Sequence, residues 1–335
     1  MRNRSGKKKW KVNDRFGTIR AGGVKVLAGV LVVGSLNLDM VITAPRFPLA
    51  GENIHGTGFS MVAGGKGANQ AVAAARLGEE TCLLGCVGQD TYGDFLLDAL
   101  SRTSVDATQV KRSREVTTGV ALIVIEESTG MNTIVVDPGA NMAMTPSDLD
   151  ALEPYFAGHG TALFQLEIPV DVVAEGARLA SASGLVTVLD AGPPRAVDMD
   201  FARIFDVVSP NERELGALVG REILGVEQAV FAAKELVKMG IKTVVVKMAE
   251  LGAILVTDKH AKHLPPFEVD AVDSTGAGDA FTAALAVGLS DGLEIEEATR
   301  FANAAGAAAV TVLGALPSMP AREEVDRLLA RGEAR

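Results

Sequence analysis

Cysteine, histidine and long apolar runs are scarce in this 335-residue chain, and each scarcity excludes a class of protein. The two cysteines, Cys82 and Cys86, lie in one predicted strand, too far apart to bond each other. We therefore expect reduced core thiols and a reducing, cytoplasmic setting. Two of the four histidines, His260 and His263, belong to a predicted surface turn rather than to a metal site. No apolar run reaches the roughly 18 residues of a membrane span.

Positive charge is concentrated at the N-terminus. Residues 1–25 contain nine Lys or Arg and a single Asp, whereas the whole chain carries a net charge of −10. The acidic remainder argues against nucleic-acid binding. We expect the basic head to be a disordered tail, because it has no apolar periodicity. It also lacks the hydrophobic stretch of a signal peptide, while a transit peptide stays an alternative.

After residue 80, apolar strand patterns alternate with helix patterns. The predicted strands are 81–87, 162–166, 185–191, 204–209, 243–248 and 253–257, and the predicted helices are 94–101, 170–183, 226–239 and 295–312. This alternation predicts a mostly parallel sheet that helices cover on both faces. Segments 52–61 and 117–136 have strand patterns with no helix between them, which predicts a small antiparallel lid.

A glycine-rich turn, DSTGAGD at 273–279, opens an apolar helix pattern that extends from about 280 to 289. Such a turn leaves backbone N–H groups unpaired at a helix N-terminus, where the helix dipole favours an anion. Asp279 lies in the first helical turn, and a carboxylate beside an anion hole suits phosphoryl transfer to a hydroxyl. A structural loop is the alternative for this motif alone. A P-loop is excluded, because no Gly-Lys-Ser/Thr follows.

Two further motifs offer groups that bind sugar hydroxyls. AGGKGANQ at 63–70 is a second glycine-rich turn before an alanine-rich helix, and Lys66 and Asn69 supply hydrogen-bond donors. GSLNLDM at 34–40 follows an apolar run at 26–33, and the period-two spacing of Asn37 and Asp39 points both side chains to one face. Open α/β sheets bind ligands at the carboxyl ends of their strands, so this pair can hold a polyol. A plain turn is the alternative for each motif by itself.

Together, and in this order, the three motifs resemble the ribokinase-like (PfkB) family of carbohydrate kinases over residues 26–329. DPGAN at 137–141, QLE at 165–167 and SPNERE at 209–214 also match. The resemblance implies a three-layer α/β/α domain over residues 26–333 with a mostly parallel central sheet. It also implies a β-sheet lid within about 38–64 and 115–138, and a homodimer in which two lids pair. Such a lid would exclude water from the reaction.

The resemblance further implies that the protein transfers a phosphoryl group from ATP to O5 of D-ribose. Asp279 would be the base that deprotonates the hydroxyl, and the amides of Gly276, Ala277 and Gly278 would form the anion hole. The implied sugar-binding residues are Asn37, Asp39, Gly65, Lys66, Asn69 and Glu167, with Asp279. The implied nucleotide-binding residues are Asn211, Lys247, Met248, Ala249, Glu250, Leu251, Gly252, Gly278 and Asn303.

Two metal ions are implied as well. Glu214 would help to organise Mg²⁺ with the phosphates of ATP. A monovalent cation, K⁺, would activate the enzyme from a loop built from Asp273, Thr275, Ala309, Val312, Gly314 and Ser318. The chain departs from the family pattern at Val312, where Arg is typical, and at 247–252, where KMAELG replaces the usual TLGxxG.

Other functions stay open at this point. The acceptor could be another sugar or a nucleoside, although 4% aromatic residues, with none beside the Lys66 turn, give little platform for a base. A sugar-binding protein without catalysis is the alternative from a different class. Such a protein should lack the base or the anion hole, whereas Asp279 and both glycines of the turn are present.

Overall fold

The structure is a computed structural model that describes residues 29–332. The predicted basic tail at 1–25, the first residues of the predicted strand at 26–33, and residue 333 lie outside the described residues. Within them the strands are β1 (Val30–Val33), β2 (Asn37–Ala44), β3 (Thr57–Gly64), β4 (Thr81–Leu84), β5 (Cys86–Gly88), β6 (Val105–Asp106), β7 (Lys111–Ser113), β8 (Gly119–Glu126), β9 (Asn132–Asp137), β10 (Thr161–Phe164), β11 (Val186–Asp190), β12 (Val207–Ser209), β13 (Thr243–Lys247), β14 (Ala253–Thr257) and β15 (Ala261–Leu264).

Helices alternate with most of these strands. The α-helices are α1 (Lys66–Arg76), α2 (Thr91–Ser101), α3 (Pro146–Asp150), α4 (Glu153–Phe156), α5 (Val170–Ala182), α6 (Met199–Ala202), α7 (Glu212–Val219), α8 (Val226–Lys238), α9 (Ala277–Ser290), α10 (Ile295–Ala309), α11 (Ala315–Ser318) and α12 (Arg322–Arg331). Short 3₁₀ helices span Gly139–Ala143 and Ala249–Leu251. Every predicted helix is present, but the one predicted at 295–312 ends at Ala309.

The central sheet has nine strands in the order β15-β14-β13-β12-β11-β10-β1-β4-β6. The pairs from β13 to β6 are parallel, and only β14 and β15 at one edge pair antiparallel. Strands such as β1 and β10 are buried along their whole length, as expected for a sheet covered on both faces. One apolar cluster packs α1, α9, α10 and α12 on one face, and a second packs α5, α7 and α8 on the other. The predicted three-layer architecture is confirmed.

The carboxyl ends of the parallel strands all lie at one edge of this sheet, where polar residues collect. Gly34 follows β1, Gln165 follows β10, and Asn211 follows β12 by two residues. Asp190 and Lys247 are themselves the last residues of β11 and β13. The fold therefore brings five separate chain segments to one edge, which is where ligands of such sheets bind.

The lid is a separate four-stranded sheet in the order β3-β2-β8-β9. The outer pairs are antiparallel, but β2 and β8 pair in parallel from Asn37 and Gly119 onward, so the prediction of a purely antiparallel lid is wrong at its centre. Asn37 and Asp39 belong to β2, so they stand on the lid rather than at the end of β1. All of β9 is exposed, including Ile134, Val135 and Val136.

The predicted strand at 81–87 is two strands with different partners. β4 pairs with β1, whereas β5 pairs with β7. Gly85 separates them, and a β-carbon there would lie 2.7 Å from the carbonyl oxygen of Gly34, so the chain can cross the 34–36 loop only at a glycine. Cys82 and Cys86 are buried free thiols, as predicted, although they do not share a strand. Between residues 29 and 332 no helix combines the length and apolar character needed to cross a membrane.

Candidate active site

Asp279 lies at the centre of the cleft between the lid and the carboxyl edge of the central sheet. It is in the first turn of α9 and only 6% of its surface is exposed. Its Oδ1 accepts hydrogen bonds from Lys66 Nζ at 3.3 Å and Gln70 Nε2 at 3.0 Å, and its Oδ2 accepts one from Asn69 Nδ2 at 3.0 Å. All three donors come from the first turns of α1. The two predicted glycine-rich turns, more than 200 residues apart, therefore meet in one site.

Asp190 is the second carboxylate of this cluster, and sequence analysis did not single it out. It is fully buried. Lys66 Nζ and Gln70 Nε2 donate to its Oδ2 at 3.2 and 2.7 Å, while Lys247 Nζ donates to its Oδ1 at 2.7 Å. Burial alone would raise the pKa of Asp190, but the ammonium groups of Lys247 and Lys66 outweigh it and hold the pKa below its ordinary value.

Lys66 is shared between these two carboxylates. Burial alone would lower its pKa, but the charges of Asp190 and Asp279 outweigh burial and raise it, so the ammonium form persists at neutral pH. The helix that carries Lys66 begins at Gly65, whose φ is 90°. A β-carbon at Gly65 would also lie 2.7 Å from the backbone nitrogen of Asn37, so this position requires glycine on both grounds.

The predicted sugar-binding residues of the lid side lie next to Lys66. Glu167 accepts hydrogen bonds from Ser35 Oγ and from the backbone N–H of Lys66, the latter at 3.2 Å. Burial raises the pKa of Glu167 more than Lys66 and Ser35 lower it. Asp39 lies in the same electrostatic environment, since burial first, and then the charges of Glu167 and Asp279, raise its pKa to about 7.

Asn37 is held in place by a residue that the sequence motifs contained but did not assign. Asn141 Nδ2 donates to Asn37 Oδ1 at 2.7 Å and to the carbonyl of Leu36 at 3.1 Å. Its Oδ1 accepts a bond from the backbone N–H of Leu36 at 2.9 Å. Asn141 belongs to the DPGAN segment, so this segment fixes the start of β2.

The predicted phosphate end lies on the other side of Asp279. Gly276 is the N-cap of α9 with φ of 80°. The amides of Gly276 and Gly278 find no hydrogen-bond acceptor within residues 29–332, whereas the N–H of Ala277 donates to the carbonyl of Ser274 at 3.2 Å. Two of the three predicted anion-hole amides are therefore free in this conformation, at the positive end of a helix of 14 residues.

Glu214 and Asn211 form the start of α7 beside this turn. Asn211 caps the helix, and the Glu214 carboxylate accepts bonds from Asn211 N at 2.7 Å and Asn211 Nδ2 at 3.1 Å. Lys247 Nζ lies 3.6 Å from Glu214 Oε2. The predicted Mg²⁺-associated carboxylate is thus buried, rigidly held and close to the glycine turn.

The remaining nucleotide residues form a loop at the end of β13. Met248 is buried, while Ala249, Glu250 and Leu251 form an exposed 3₁₀ turn. A β-carbon at Gly252 would lie 2.2 Å from the carbonyl oxygen of Leu264. Asn303 of α10 donates to the next carbonyl, that of Pro265, at 2.7 Å. The structure therefore places Asn303 beside the 247–252 loop, as the predicted nucleotide site requires.

Most residues of the predicted cation loop are linked by hydrogen bonds. Asp273 Oδ1 accepts bonds from Thr275 N at 2.9 Å and Thr275 Oγ1 at 2.7 Å, and its Oδ2 accepts one from Gly314 N at 2.8 Å. Ser318 Oγ donates to the carbonyl of Thr275 at 3.4 Å. The carbonyl of Val310, the residue after Ala309, accepts from Asp273 N at 3.1 Å. Val312, by contrast, is 41% exposed.

Sequence reasoning did not assign Asp190, Gln70 or Asn141 to the site. Asp190 is a lone carboxylate that ends a buried apolar strand, and that position was a usable signal in an α/β sheet. Gln70 was visible in its motif, but its role depends on Asp190 and Asp279, which lie 120 and 209 residues away. No local pattern reports such a contact.

The raised pKa of Asp39 makes the protein less stable as pH rises. Between the ordinary value of 3.8 and about 7 the folded protein keeps a proton that the unfolded chain has lost, so stability falls across that window. We expect Asp39→Asn to raise the melting temperature at pH 8 by roughly 1–2 °C, the shift that about 1 kcal/mol causes in a domain of about 300 residues. At pH 5 the change should be near zero, because Asp39 is then neutral. Differential scanning fluorimetry of the ligand-free protein measures the melting temperatures at pH 8 and at pH 5.

The matched control is Asp258→Asn, an exposed aspartate in the turn between β14 and β15. It should shift the melting temperature equally, and little, at both pH values. An equal stabilisation of Asp39→Asn at pH 5 and pH 8 would contradict the assigned protonation of Asp39.

Comparisons with known proteins agree with the site geometry described above. The model of the pfkB family carbohydrate kinases matches residues 27–322. Ribokinase of Bacillus subtilis is 38% identical over 305 residues, covering 91% of this chain and 100% of its own length. Deoxyribokinase of Salmonella typhi is 32% identical over 305 residues, covering 91% and 99%.

A solved structure extends the likeness to three dimensions. Arabidopsis thaliana ribokinase, complexed with ribose and ATP, is 35% identical, has a TM-score of 0.84, and matches 90% of this chain and 99% of its own. The family match spans both glycine-rich turns and every strand of the central sheet. This chain is a sugar kinase that belongs to the pfkB family of carbohydrate kinases.

Proposed function

We propose that this enzyme phosphorylates D-ribose at O5 with ATP as the donor, giving ribose 5-phosphate and ADP. The observation that carries the proposal is the contact of Lys66 and Asn69 with Asp279, which joins the polyol-binding turn to the anion-binding turn. The relatives named ribokinase, and the relative complexed with ribose and ATP, support the same substrates.

In this proposal Asp279 accepts the proton of the attacking hydroxyl. Hydrogen bonds from Lys66, Asn69 and Gln70 fix the orientation of its carboxylate, so a hydroxyl placed by the sugar-binding residues meets a base already aligned. The new bond forms between O5 and the γ-phosphorus while the bond to the β-phosphate oxygen breaks. The free amides of Gly276 and Gly278 stabilise the charge on the transferring group.

The polyol would be held mainly from the lid side. Asn37 and Asp39 extend from β2, and Glu167 and Gly65 line the floor. The Oδ1 atom of Asn69 is buried without a hydrogen-bond partner in the described part of the chain, so it offers an acceptor to a sugar hydroxyl. Carboxylate and amide oxygens together suit a ligand that is rich in hydroxyl donors.

The residues present fit Mg²⁺ bound together with the phosphates. Glu214 is buried and acidic and stands beside the free amides of the glycine turn. Mg²⁺ commonly takes one or two carboxylates plus phosphate oxygens and waters, rather than a cage made only of protein ligands. When bound it would neutralise phosphate charge. Within residues 29–332 no group of three or more His, Cys, Asp or Glu could hold a metal by itself.

A second acceptor has specific support. The relative from Salmonella named deoxyribokinase is as similar over its length as several ribokinases, so 2-deoxyribose is the main competitor of ribose. A nucleoside is less well supported, because the cleft residues described above include no aromatic side chain.

The cytoplasmic setting inferred from the two cysteines stays a prediction.

Replacing the base should lower turnover sharply. We expect Asp279→Asn to lower kcat by roughly 10²–10⁴-fold, the usual contribution of a general base. ADP release in a coupled assay with ribose and ATP measures it. The matched control is Asp291→Asn, at the other end of α9, which should keep wild-type turnover. Wild-type activity in Asp279→Asn would show that another group takes the proton.

The same assay identifies the acceptor when it is run with ribose, 2-deoxyribose and a nucleoside at equal concentration. We expect the highest kcat/KM with ribose. Turnover of 2-deoxyribose or of the nucleoside without turnover of ribose would contradict the substrate assignment, and binding of ribose without ADP release would favour the non-catalytic alternative.

We also propose that a monovalent cation binds at the loop around Asp273. Burial alone would raise the pKa of Asp273, but hydrogen bonds from Thr275 and Gly314 outweigh it and hold the pKa below its ordinary value. The loop therefore contains an ionised carboxylate beside the backbone carbonyl groups of Thr275 and residues 309–314. It precedes the glycine turn directly, so a bound cation would stabilise the amide positions.

Replacing Na⁺ by K⁺ at constant ionic strength should raise kcat. Asp273→Asn removes the anionic ligand and should remove the difference between the two salts. Initial rates at saturating ribose and ATP measure both. Equal rates of the wild-type enzyme in Na⁺ and K⁺ would count against a cation site in this loop.

We propose further that the enzyme is a homodimer joined through the lid. β9 is an edge strand whose residues are all exposed, and further apolar surface comes from Phe59 and Met61 on β3, at the opposite edge, and from Leu122 on β8. A small sheet with exposed apolar side chains and an open edge is marginally stable by itself. The lid of a second protein chain would cover both the apolar side chains and the open edge.

A charge in the lid should therefore split the dimer. We expect wild-type protein to have twice the chain mass in size-exclusion chromatography with light scattering, and Val135→Lys to elute as a monomer, because Val135 is 63% exposed and lies on β9. Leu224→Lys, at an equally exposed position between α7 and α8, is the control and should stay dimeric. A monomeric wild-type protein would refute the proposal.

A further inference from the structure

Lys247 is a buried cation whose position needs an explanation. It ends β13 after three buried valines, and only 8% of its surface is exposed. Lysine is almost never buried without a partner. Here Nζ donates to Asp190 Oδ1 at 2.7 Å and to Thr282 Oγ1 at 3.3 Å, and lies 3.6 Å from Glu214 Oε2. Its partners thus come from three different elements of the cleft.

The side chain of Lys247 passes alongside the glycine turn. A β-carbon added to Gly278 would lie 3.9 Å from both Cδ and Nζ of Lys247, an ordinary van der Waals distance. The N–H of Gly278 has no acceptor among the described residues. One turn further along α9, Thr282 touches Lys247 and also donates to the carbonyl of Gly278 at 2.9 Å. Lys247 therefore lies next to a residue that carries one of the two free amides.

The two carboxylate oxygens of Asp190 contact different lysines. Oδ2 accepts from Lys66, which also contacts Asp279, and Oδ1 accepts from Lys247, which also approaches Glu214. Each lysine also has a second carboxylate nearby, which is Asp279 for Lys66 and Glu214 for Lys247. An ammonium group has three hydrogen-bond donors, and Lys247 directs two of them to Asp190 and Thr282. Glu214 lies beyond hydrogen-bond distance at 3.6 Å, so one donor of Lys247 remains for an anion at the neighbouring glycine turn.

From this geometry we propose that Lys247 is a further catalytic residue, which contacts the transferring phosphoryl group, and that Asp190 is its positioning residue. The inference rests on the proposed kinase function and assigns one more of its parts. Lys247 stays protonated throughout: the proton of the attacking hydroxyl goes to Asp279, and the electron pair of the broken bond leaves with ADP. The lysine contributes charge and hydrogen bonds to the phosphoryl oxygens, where the negative charge is spread in the transition state.

Lys247→Met tests the role, because methionine keeps an unbranched side chain and removes the charge. We expect kcat to fall by about 10²–10³-fold, as when one transition-state donor is removed. Isothermal titration calorimetry gives a second readout with ribose and Mg·ADP, with and without aluminium fluoride. Since a transition-state contact is stronger than a ground-state contact, affinity for the fluoride complex should fall steeply and affinity for Mg·ADP should hardly change.

Two further variants separate chemistry from folding. Lys247→Gln can still donate a hydrogen bond to Asp190 and should show the same selective loss, so a misfolded Lys247→Met would not decide the question. Lys242→Met, just before the other end of β13, removes an exposed lysine that pairs with Asp206 at 2.6 Å, and should behave as wild type.

Asp190→Asn tests the positioning role. It should lower affinity for the fluoride complex less than Lys247→Met does. The double variant should lose less affinity than the product of the two single losses, because the contact between Lys247 and Asp190 is lost in both single variants. Equal losses of affinity for Mg·ADP and for the fluoride complex in Lys247→Met, or losses that multiply in the double variant, would overturn the proposal. A wild-type protein without turnover and without a fluoride complex would instead refute the kinase function itself.

Discussion

The site depends on one electrostatic constraint, namely that three carboxylates must share a cleft with two lysines. Asp190 and Asp279 are each within hydrogen-bond reach of Lys66, and Asp190 and Glu214 both face Lys247. Removing one partner from a buried set of this kind leaves an uncompensated charge, which costs far more than the pair contributes. The lysines hold the ends of β11 and β13 and the starts of α1 and α9 in one register, and the candidate active site depends on that register.

Glycine makes this convergence possible, because it has no side chain at positions where another segment of the protein comes very close. A β-carbon at Gly64 would lie 2.2 Å from Asp39 Oδ2, and one at Gly192 would lie 2.5 Å from Glu214 Oε1 and 3.0 Å from Lys66 Nζ. Neither glycine has a positive φ, so at these positions the requirement is space and not backbone conformation. The same side chains that bind substrate in the proposed mechanism occupy the room that a β-carbon would take.

The parts of this site that could be predicted from the sequence are those with a local signal. Lys66, Asn69 and Asp279 lie in glycine-rich turns that open helices, and the β-α alternation fixes which end of the sheet such turns occupy. Asp190 lies in no such turn, and Gln70 lies in one but matters through contacts made across the sheet. The lid shows the same limit. Its strands could be predicted from their residue pattern. The parallel pairing of β2 with β8, however, depends on the path of the chain between them, and the period-two spacing within each strand carries no information about that path.

The unliganded cleft has an excess of acid at its sugar end, and this excess suits it to a polyol. Asp39, Glu167 and Asp279 lie near one another, and their mutual repulsion adds to burial in raising the pKa of Asp39 to about 7. Hydroxyl groups donate hydrogen bonds to carboxylates without bringing a competing charge, so a bound sugar would stabilise the ionised forms. An anionic ligand would meet the opposite effect at this end and would be favoured only at the glycine turn and Lys247. The charge distribution therefore orients the two substrates before any contact specific to either is made, with the neutral acceptor beside the carboxylates and the phosphates beside the free amides.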